Sequence, residues 1–471
     1  MATRCVAPQR GGAALLKRTT ETNDIMLTEE QKRVGRRNFL KAMATLPALG
    51  AFGVAAYQKA VHGNPVQAGI IGSGSEGCVL LEQSPTDKIV YKALADIRPD
   101  SREEGVKRIK DRWKITPDLY PDDYRKLLER DDIEAVVIAS PLWMHSKMAV
   151  DALNAGKHVF CEKTMAWSVD QCKEMARTMQ RTGRVLQIGH QRHANRIYAT
   201  ALSMIRQGTI GDIYYIRTLW HRNTDWRRPL PNLDDLRKQD PKFDPQRWDY
   251  ADLDQLVNWR HYRKLSAGLM GELGSHQLDV TNWFTGVNPK RVLGSGGRFW
   301  FKGGGDINDH VYATVEYPPN PLGPTGTTVT FSSITTNQFD DYYEQFEGTK
   351  GTIILSGETD YGLWTEDGDK ATTIEIKKSA AGAPVMAASA SRVADASAGS
   401  QAQVGTAGST GMDRLEPYRN ELESFCSAIK FRTEPACTGA AALAAAIVIL
   451  KANEAIETRR PVDLDDSLYR V

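Results

Sequence analysis

Val66-Gln67-Ala68-Gly69-Ile70-Ile71-Gly72-Ser73-Gly74-Ser75-Glu76-Gly77 decides the fold. An apolar run ends in G-x-G-x-x-G, the spacing of a turn that carries a strand into a helix around a dinucleotide. Gly72 permits the tight turn, Gly74 lets a pyrophosphate approach the backbone, and Gly77 lets the helix pack on the strand. The helix that follows aims its free N–H groups at the phosphates. A second apolar run, Ile89–Ala95, ends in Asp96, 19 residues after Gly77. A carboxylate there accepts hydrogen bonds from ribose hydroxyls and repels a 2′-phosphate, so Asp96 favours NAD over NADP. Arg98 weakens that preference and leaves NADP possible.

Working outward, the same alternation continues. Residues 101–113 are helix-like, and Pro121-Asp122-Asp123-Tyr124 opens another helix. Residues 133–139 form a buried β-branched strand, stopped by Ser140-Pro141. A helix follows over 145–155, and the next strand ends at Cys161. Strands alternating with helices over 65–187 define a doubly wound α/β sheet, a Rossmann domain. Ligands in such sheets sit beyond the carboxyl ends of the strands, which is where Glu162 and Lys163 fall. Taken alone, a Glu-Lys dipeptide is more often a surface ion pair.

The chain has 471 residues and a net charge of +2, enough for two to three domains and without the basic field of a nucleic-acid binder. Its six cysteines are scattered without C-x-x-C, so neither a disulfide framework nor a zinc ribbon is expected. Near the start, Gly35-Arg36-Arg37-Asn38-Phe39-Leu40-Lys41 precedes an apolar run over 42–56. Fifteen apolar residues are short for a bilayer span and suit a signal peptide. The pattern is that of a twin-arginine signal, so residues 1–60 are expected to be a leader for the twin-arginine export machinery. The product would be periplasmic or secreted, or anchored by an uncleaved signal. Met26 is an alternative start to Met1.

Three stretches occur in order: Gly72–Gly77, Ser140-Pro141 through His145, and Gly156-Lys157-His158-Val159-Phe160-Cys161-Glu162-Lys163. They resemble the Gfo/Idh/MocA family of glucose–fructose oxidoreductase-like and inositol dehydrogenase-like enzymes. The resemblance implies cofactor contacts from Ser140, His145, Glu162 and Lys163, with Lys163 also in the catalytic site. The family carries Glu-Lys-Pro where this chain has Glu162-Lys163-Thr164. Without proline, a trans Lys163–Thr164 bond is expected.

The resemblance extends over about 65–465. It places a second α+β domain over 188–471, with a large, mostly antiparallel open sheet. Residues 303–318 and 327–336 alternate apolar and polar side chains, as such strands do. In the family a sheet of this kind commonly forms the dimer face, which implies a homo-oligomer, a dimer or a tetramer. The Arg-, Trp- and Asn-rich loop 221–231 suits sugar hydroxyls and ring faces, with a plain surface loop as the alternative. Residues 234–254 read as an extended excursion near the site mouth. Residues 379–411, almost all small or polar, read as a disordered insertion.

Glu272 and His276 are four apart and share a face if helical. By resemblance they join Lys163 around a reacting hydroxyl, with Glu272 standing where the family usually has Asp. His276 would be the base, its pKa lying near working pH. Lys163 would stabilise the developing alkoxide, and Glu272 would orient the imidazole or bind a neighbouring hydroxyl. A metal site built on His190, His193, Glu272 and His276 is the weaker reading, because no H-E-x-x-H or Cys–His cluster accompanies them. The expected function is hydride transfer between a sugar or polyol carbon and a tightly bound NAD(P). The rivals are an NAD-dependent glycoside hydrolase of the same fold and a non-catalytic sugar-binding relative.

Overall fold

The computed structural model describes residues 64–366 and 413–471, with a backbone pair at 377–378 and 384–385. The leader and most of the 379–411 insertion lie outside the described residues.

The first sheet has six strands, β1 (Val66–Ile71), β2 (Ile89–Ala95), β3 (Asp118–Tyr120), β4 (Ala135–Ile138), β5 (His158–Glu162) and β6 (Leu186–Gly189). Their order is β3-β2-β1-β4-β5-β6, all parallel. The order reverses between β1 and β4, which opens a crevice at their carboxyl ends. The helices are α1 (Ser75–Gln83), α2 (Pro99–Trp113), the single turn α3 (Arg125–Leu128), α4 (His145–Asn154) and α5 (Val169–Thr182). The β-branched run Ala135–Ile138 is wholly buried because helices cover both faces of the sheet.

After β6 the chain crosses to the second domain through α6 (Arg196–Arg206). This domain holds β7 (Ile213–His221), α7 (Leu233–Gln239), α8 (Leu253–Val257), α9 (Ser275–Thr285), β8 (Arg291–Gly297), β9 (His310–Tyr317), β10 (Thr327–Ile334), β11 (Tyr342–Gly348), β12 (Gly351–Ser356) and β13 (Asp360–Thr365). The short pair β14 (Lys377–Lys378) and β15 (Pro384–Val385) stands apart. The strand β16 (Val462–Asp463) completes the large sheet, ordered β13-β12-β11-β7-β10-β9-β8-β16. It is mixed: β7 and β10 run parallel, and every other pair is antiparallel. The core of this domain lies between the sheet and α6, α9 and α11 (Gly439–Thr458).

The last two helices tie the domains together. From α10 (Glu416–Phe431), Tyr418, Leu422 and Phe425 pack on the first sheet. Along α11, Leu443, Ala446 and Ile447 enter the first core, while Val448, Ile449, Ala452 and Ile456 enter the second. Burial on two sides explains why α11 is apolar enough to pass for a membrane span.

Three expectations are corrected. The Lys163–Thr164 bond is cis, not trans. Thr164 is buried and held on both sides: its hydroxyl donates to Gly271 O at 2.9 Å, and its carbonyl lies 2.9 Å from His145 Nδ1. Residues 234–254 are not extended; α7, a 3-10 turn and α8 gather around Leu236, Phe243, Tyr250 and Leu256. The polar sequence hides this because these apolar residues are widely spaced. Glu272 lies in a π-helical turn, Met270–Gly274, and His276 in the α-helix after it, so the pair does not sit on one α-helical face.

Candidate active site

A cavity of about 1080 Å³ lies over the carboxyl ends of the first sheet. At one end is the glycine turn. Gly72 has φ +92°, and a Cβ there would strike Ala139 O at 2.5 Å. A Cβ on Gly77 would lie 2.1 Å from Gly72 O, so the turn and α1 close only around glycine. A Cβ on Gly74 would meet nothing within 4 Å, leaving an open face beside the start of α1. Gly74 also caps α1 without a side-chain hydrogen bond, so the first-turn N–H groups remain available to an anion. The three glycines therefore fit a dinucleotide in the roles their spacing predicts.

Asp96 lines the cavity and braces the turn. Its Oδ2 accepts from Ser73 N at 2.7 Å and its Oδ1 from Arg98 N at 2.8 Å. Burial pushes its pKa up, while these two amide bonds and Arg98 oppose the shift. A carboxylate oxygen can accept a second bond, so a ribose hydroxyl remains within its capacity. The Arg98 guanidinium is turned onto Asp100, with Nε 3.1 Å from Oδ1. Its charge is thereby partly neutralised.

The other end holds the polar cluster. Glu162, Lys163, Glu272 and Arg260 all line the cavity. Lys163 Nζ donates to Glu272 O at 3.1 Å and lies 3.9 Å from Glu272 Oε2. Arg260 Nε donates to the same carboxylate oxygen at 3.0 Å. Glu162 Oε2 accepts from Lys163 N at 3.1 Å. Burial pushes the Glu162 carboxyl up to about 7; Lys163 opposes the shift and Glu272 adds to it. Its other oxygen faces Gly189, where a Cβ would lie 2.9 Å away, so the strand beside it must be bare.

Ser140 and His145 also line the cavity. The His145 ring is spent on the frame, with Nδ1 2.9 Å from Thr164 O and Nε2 2.9 Å from Ser140 O. Burial keeps it neutral, so it donates to one carbonyl at a time and positions the Lys163–Thr164 corner.

His276 departs from expectation. It is buried behind the cluster, tilted against Trp220 at 5.5 Å, and is not among the cavity-lining residues. Burial holds its pKa well below the usual imidazole range, and Lys163, Arg192, His190 and Arg222 add to the effect. It is therefore neutral at working pH rather than titrating there. His190 and His193 do not meet the Glu272–His276 pair. They flank Asp279, with His193 Nε2 2.9 Å from Asp279 Oδ2. Cys437 joins His193 and Asp279, and these three donor atoms lie within 4.8 Å of one another.

The sequence offers Arg260 only as one of the Arg and aromatic residues over 221–263 that could make a pocket; nothing in it points to Glu272, 12 residues on. In loop 221–231, Arg228 reaches the glycine turn and donates to Ser75 Oγ.

The structure and its cavity are those of a two-domain NAD-binding oxidoreductase fold. Residues 66–190 match the oxidoreductase family with an NAD-binding Rossmann fold, and residues 203–464 match that family's C-terminal alpha/beta domain. The chain belongs to this family, Gfo/Idh/MocA. A glycosyl hydrolase family 109 protein of Shewanella baltica is 28% identical over 217 residues, 41% of this chain and 47% of that one. The 2,7-anhydro-N-acetylneuraminate hydratase of Mediterraneibacter gnavus is 27% identical over 235 residues, 50% of this chain and 54% of that one. The chain thus spans about half the length, or less, of the curated relatives it matches. Levoglucosan dehydrogenase in complex with NADH and levoglucosan superposes with a TM-score of 0.62 at 18% identity, covering 85% of this chain and all of that one. An NAD-binding oxidoreductase from Klebsiella pneumoniae gives 0.61 at 20% identity, covering 86% of this chain and all of that one. At such identities the likeness is one of fold.

Proposed function

We propose that this protein is an exported oxidoreductase that moves hydride between a hydroxyl-bearing carbon of a sugar or polyol and an NAD that stays bound through turnover. One observation carries the reading: Lys163, Glu272 and Arg260 converge at one end of the cavity whose other end is the glycine turn and Asp96. When bound, NAD supplies the hydride acceptor or donor at its nicotinamide ring. The chain's own groups do the rest. Lys163 Nζ, on a half-buried side chain that lines the cavity, faces the substrate oxygen and stabilises alkoxide charge as it develops. Glu272 is held from two sides, so its carboxylate is fixed to accept from a neighbouring hydroxyl. His276, neutral but set behind the cluster, takes up the hydroxyl proton only through a relay by Lys163, which does line the cavity.

Export follows from the Arg36-Arg37 signal. That machinery carries folded cargo, and no comparable pool of free NAD lies outside the inner membrane, which is why retention of the cofactor belongs to the proposal. A twofold or fourfold assembly through the open sheet accords with the family.

A second reading is favoured by the curated relatives. A family 109 glycosyl hydrolase and an anhydro-sugar hydratase suggest a cycle in which the hydride returns to the same sugar after a bond is cleaved. The same residues serve both. Reduction of bound NAD by a free sugar supports net oxidation; cleavage of an aryl glycoside without net NADH supports the second reading. A protein holding NAD that exchanges hydride with no sugar would defeat both and leave a sugar-binding relative.

A further inference from the structure

One wall of the cofactor cavity is not built by the Rossmann domain. Residues 225–262 leave the second domain after β7 and return before the π turn. They have a core of their own, Leu236, Phe243, Tyr250 and Leu256, against which Ile97 and Trp143 of the first domain pack. They are fastened across the cavity at four places. Arg102 pairs with Asp240 at 3.0 Å, and Arg247 pairs with Asp122 at 3.0 Å. Trp143 Nε1 donates to Tyr250 Oη at 3.1 Å. Arg228 donates to Ser75 Oγ, in the first residue of α1 and inside the glycine turn.

We propose that Arg228 is a cofactor-binding residue, delivered from the second domain onto the pyrophosphate of NAD at the Gly72–Gly77 turn, and that residues 225–262 clamp the cofactor in place. The placement of Arg228 and the chemistry of its side chain carry this. Arg228 lines the cavity and reaches the turn whose open face lies at Gly74. A planar guanidinium fork matches two phosphate oxygens better than a point charge does. Arg228 is also fixed in place. Its N–H donates to Asn258 Oδ1 at 2.7 Å, and buried Asn258 donates back to Arg228 O at 3.2 Å and to Asp254 Oδ1 at 2.9 Å. Two residues beyond Asn258 stands Arg260, bound to Glu272. The clamp thus joins the phosphate end of the cavity to its reacting end. The retention part rests on the reading of a non-dissociating cofactor; the Arg228 contact does not.

The test uses the full-length protein and Arg228→Gln, folded by circular dichroism. Two quantities are read: the release rate of bound NADH by fluorescence, and the affinity for ADP-ribose as a function of salt. Losing one desolvated charge pair predicts release faster by about tenfold or more, and weaker ADP-ribose binding with a shallower salt dependence. Asp240→Asn, which loosens the clamp away from the phosphates, should speed release while leaving the salt dependence as in the unmodified protein. Unchanged release, affinity and salt dependence in Arg228→Gln would overturn the proposal. Should that variant not fold, Arg228→Lys keeps the charge without the fork. A smaller shift in the same direction is then expected, and no shift overturns the proposal equally. If the unmodified protein releases NADH freely yet Arg228→Gln still weakens ADP-ribose, the contact stands and the retention reading fails.

Discussion

Glu162 offers the most direct test of the electrostatics beneath the reacting end. Its carboxyl is buried at the end of β5, and burial moves it from the ordinary 4.5 to about 7. The groups facing it are Lys163 and Arg260, which favour the charge, and Glu272 and Glu421, which oppose it. Glu421, fully buried on α10, is pushed well above the carboxylate range by burial and by Glu162, Glu76 and Glu358. A carboxyl whose folded pKa is raised contributes stability that is fully present below its unfolded pKa. That contribution is lost as pH rises through the folded one. The window runs from about 4.5 to about 7. At about 1.4 kcal/mol per unit, the shift amounts to about 3 kcal/mol. Glu162→Gln keeps the volume beside Gly189 and removes the titration. Urea unfolding of cofactor-free protein at pH 4.5 to 8 should show the variant gaining about 3 kcal/mol relative to the unmodified chain across that span, with no further gain above it. A difference that does not vary with pH would refute the argument, whatever its size.

Other outcomes follow from the same geometry. Lys163→Ala should remove most turnover while nicotinamide recovered from the purified protein stays near that of the unmodified chain; a near-native rate would show that the site is misassigned. His276→Gln should lower kcat without moving the acid limb of the pH–rate profile, because the neutral ring does not titrate there. Loss of that limb would mean that His276 carries the charge after all. Arg192, buried between Glu344 and Glu358, is structural: Arg192→Met leaves two buried carboxylates and should cost about 3–5 kcal/mol in urea unfolding. Asp96→Ala frees the Ser73 and Arg98 amides and should weaken NAD more than NADP, read as the ratio of the two dissociation constants.

What the sequence made legible was local. Gly72, Gly74 and Gly77 are read from spacing because a backbone turn against a phosphate admits no side chain, and Asp96 and Glu162-Lys163 fall at strand ends that the apolar runs mark. The second sheet and Glu272 came with the resemblance. Side chains brought in from far along the chain stayed hidden. Arg228 meets Ser75 across 153 residues, and Lys163 meets the Glu272 carbonyl across 109. No periodicity encodes such meetings. The cis bond at Thr164 was missed for a related reason. The sequence shows the missing proline, but not that Gly271 and His145 grip the threonine from both sides. The neutrality of His276 likewise depends on burial first, and then on cations from three other segments, Lys163, Arg192 and Arg222.

The central claim is that a sugar or polyol carbon exchanges hydride with NAD held in this cavity beside Lys163. The measurement is deuterium transfer. The purified full-length protein is incubated without added cofactor with carbon-deuterated aldoses, cyclitols and aryl glycosides, then denatured, and its nicotinamide is weighed by mass spectrometry. The account predicts near-stoichiometric nicotinamide dinucleotide carrying deuterium from at least one of these compounds, with the label absent in Lys163→Ala. Bound NAD that remains unlabelled with every compound, or equal labelling in Lys163→Ala, would contradict it.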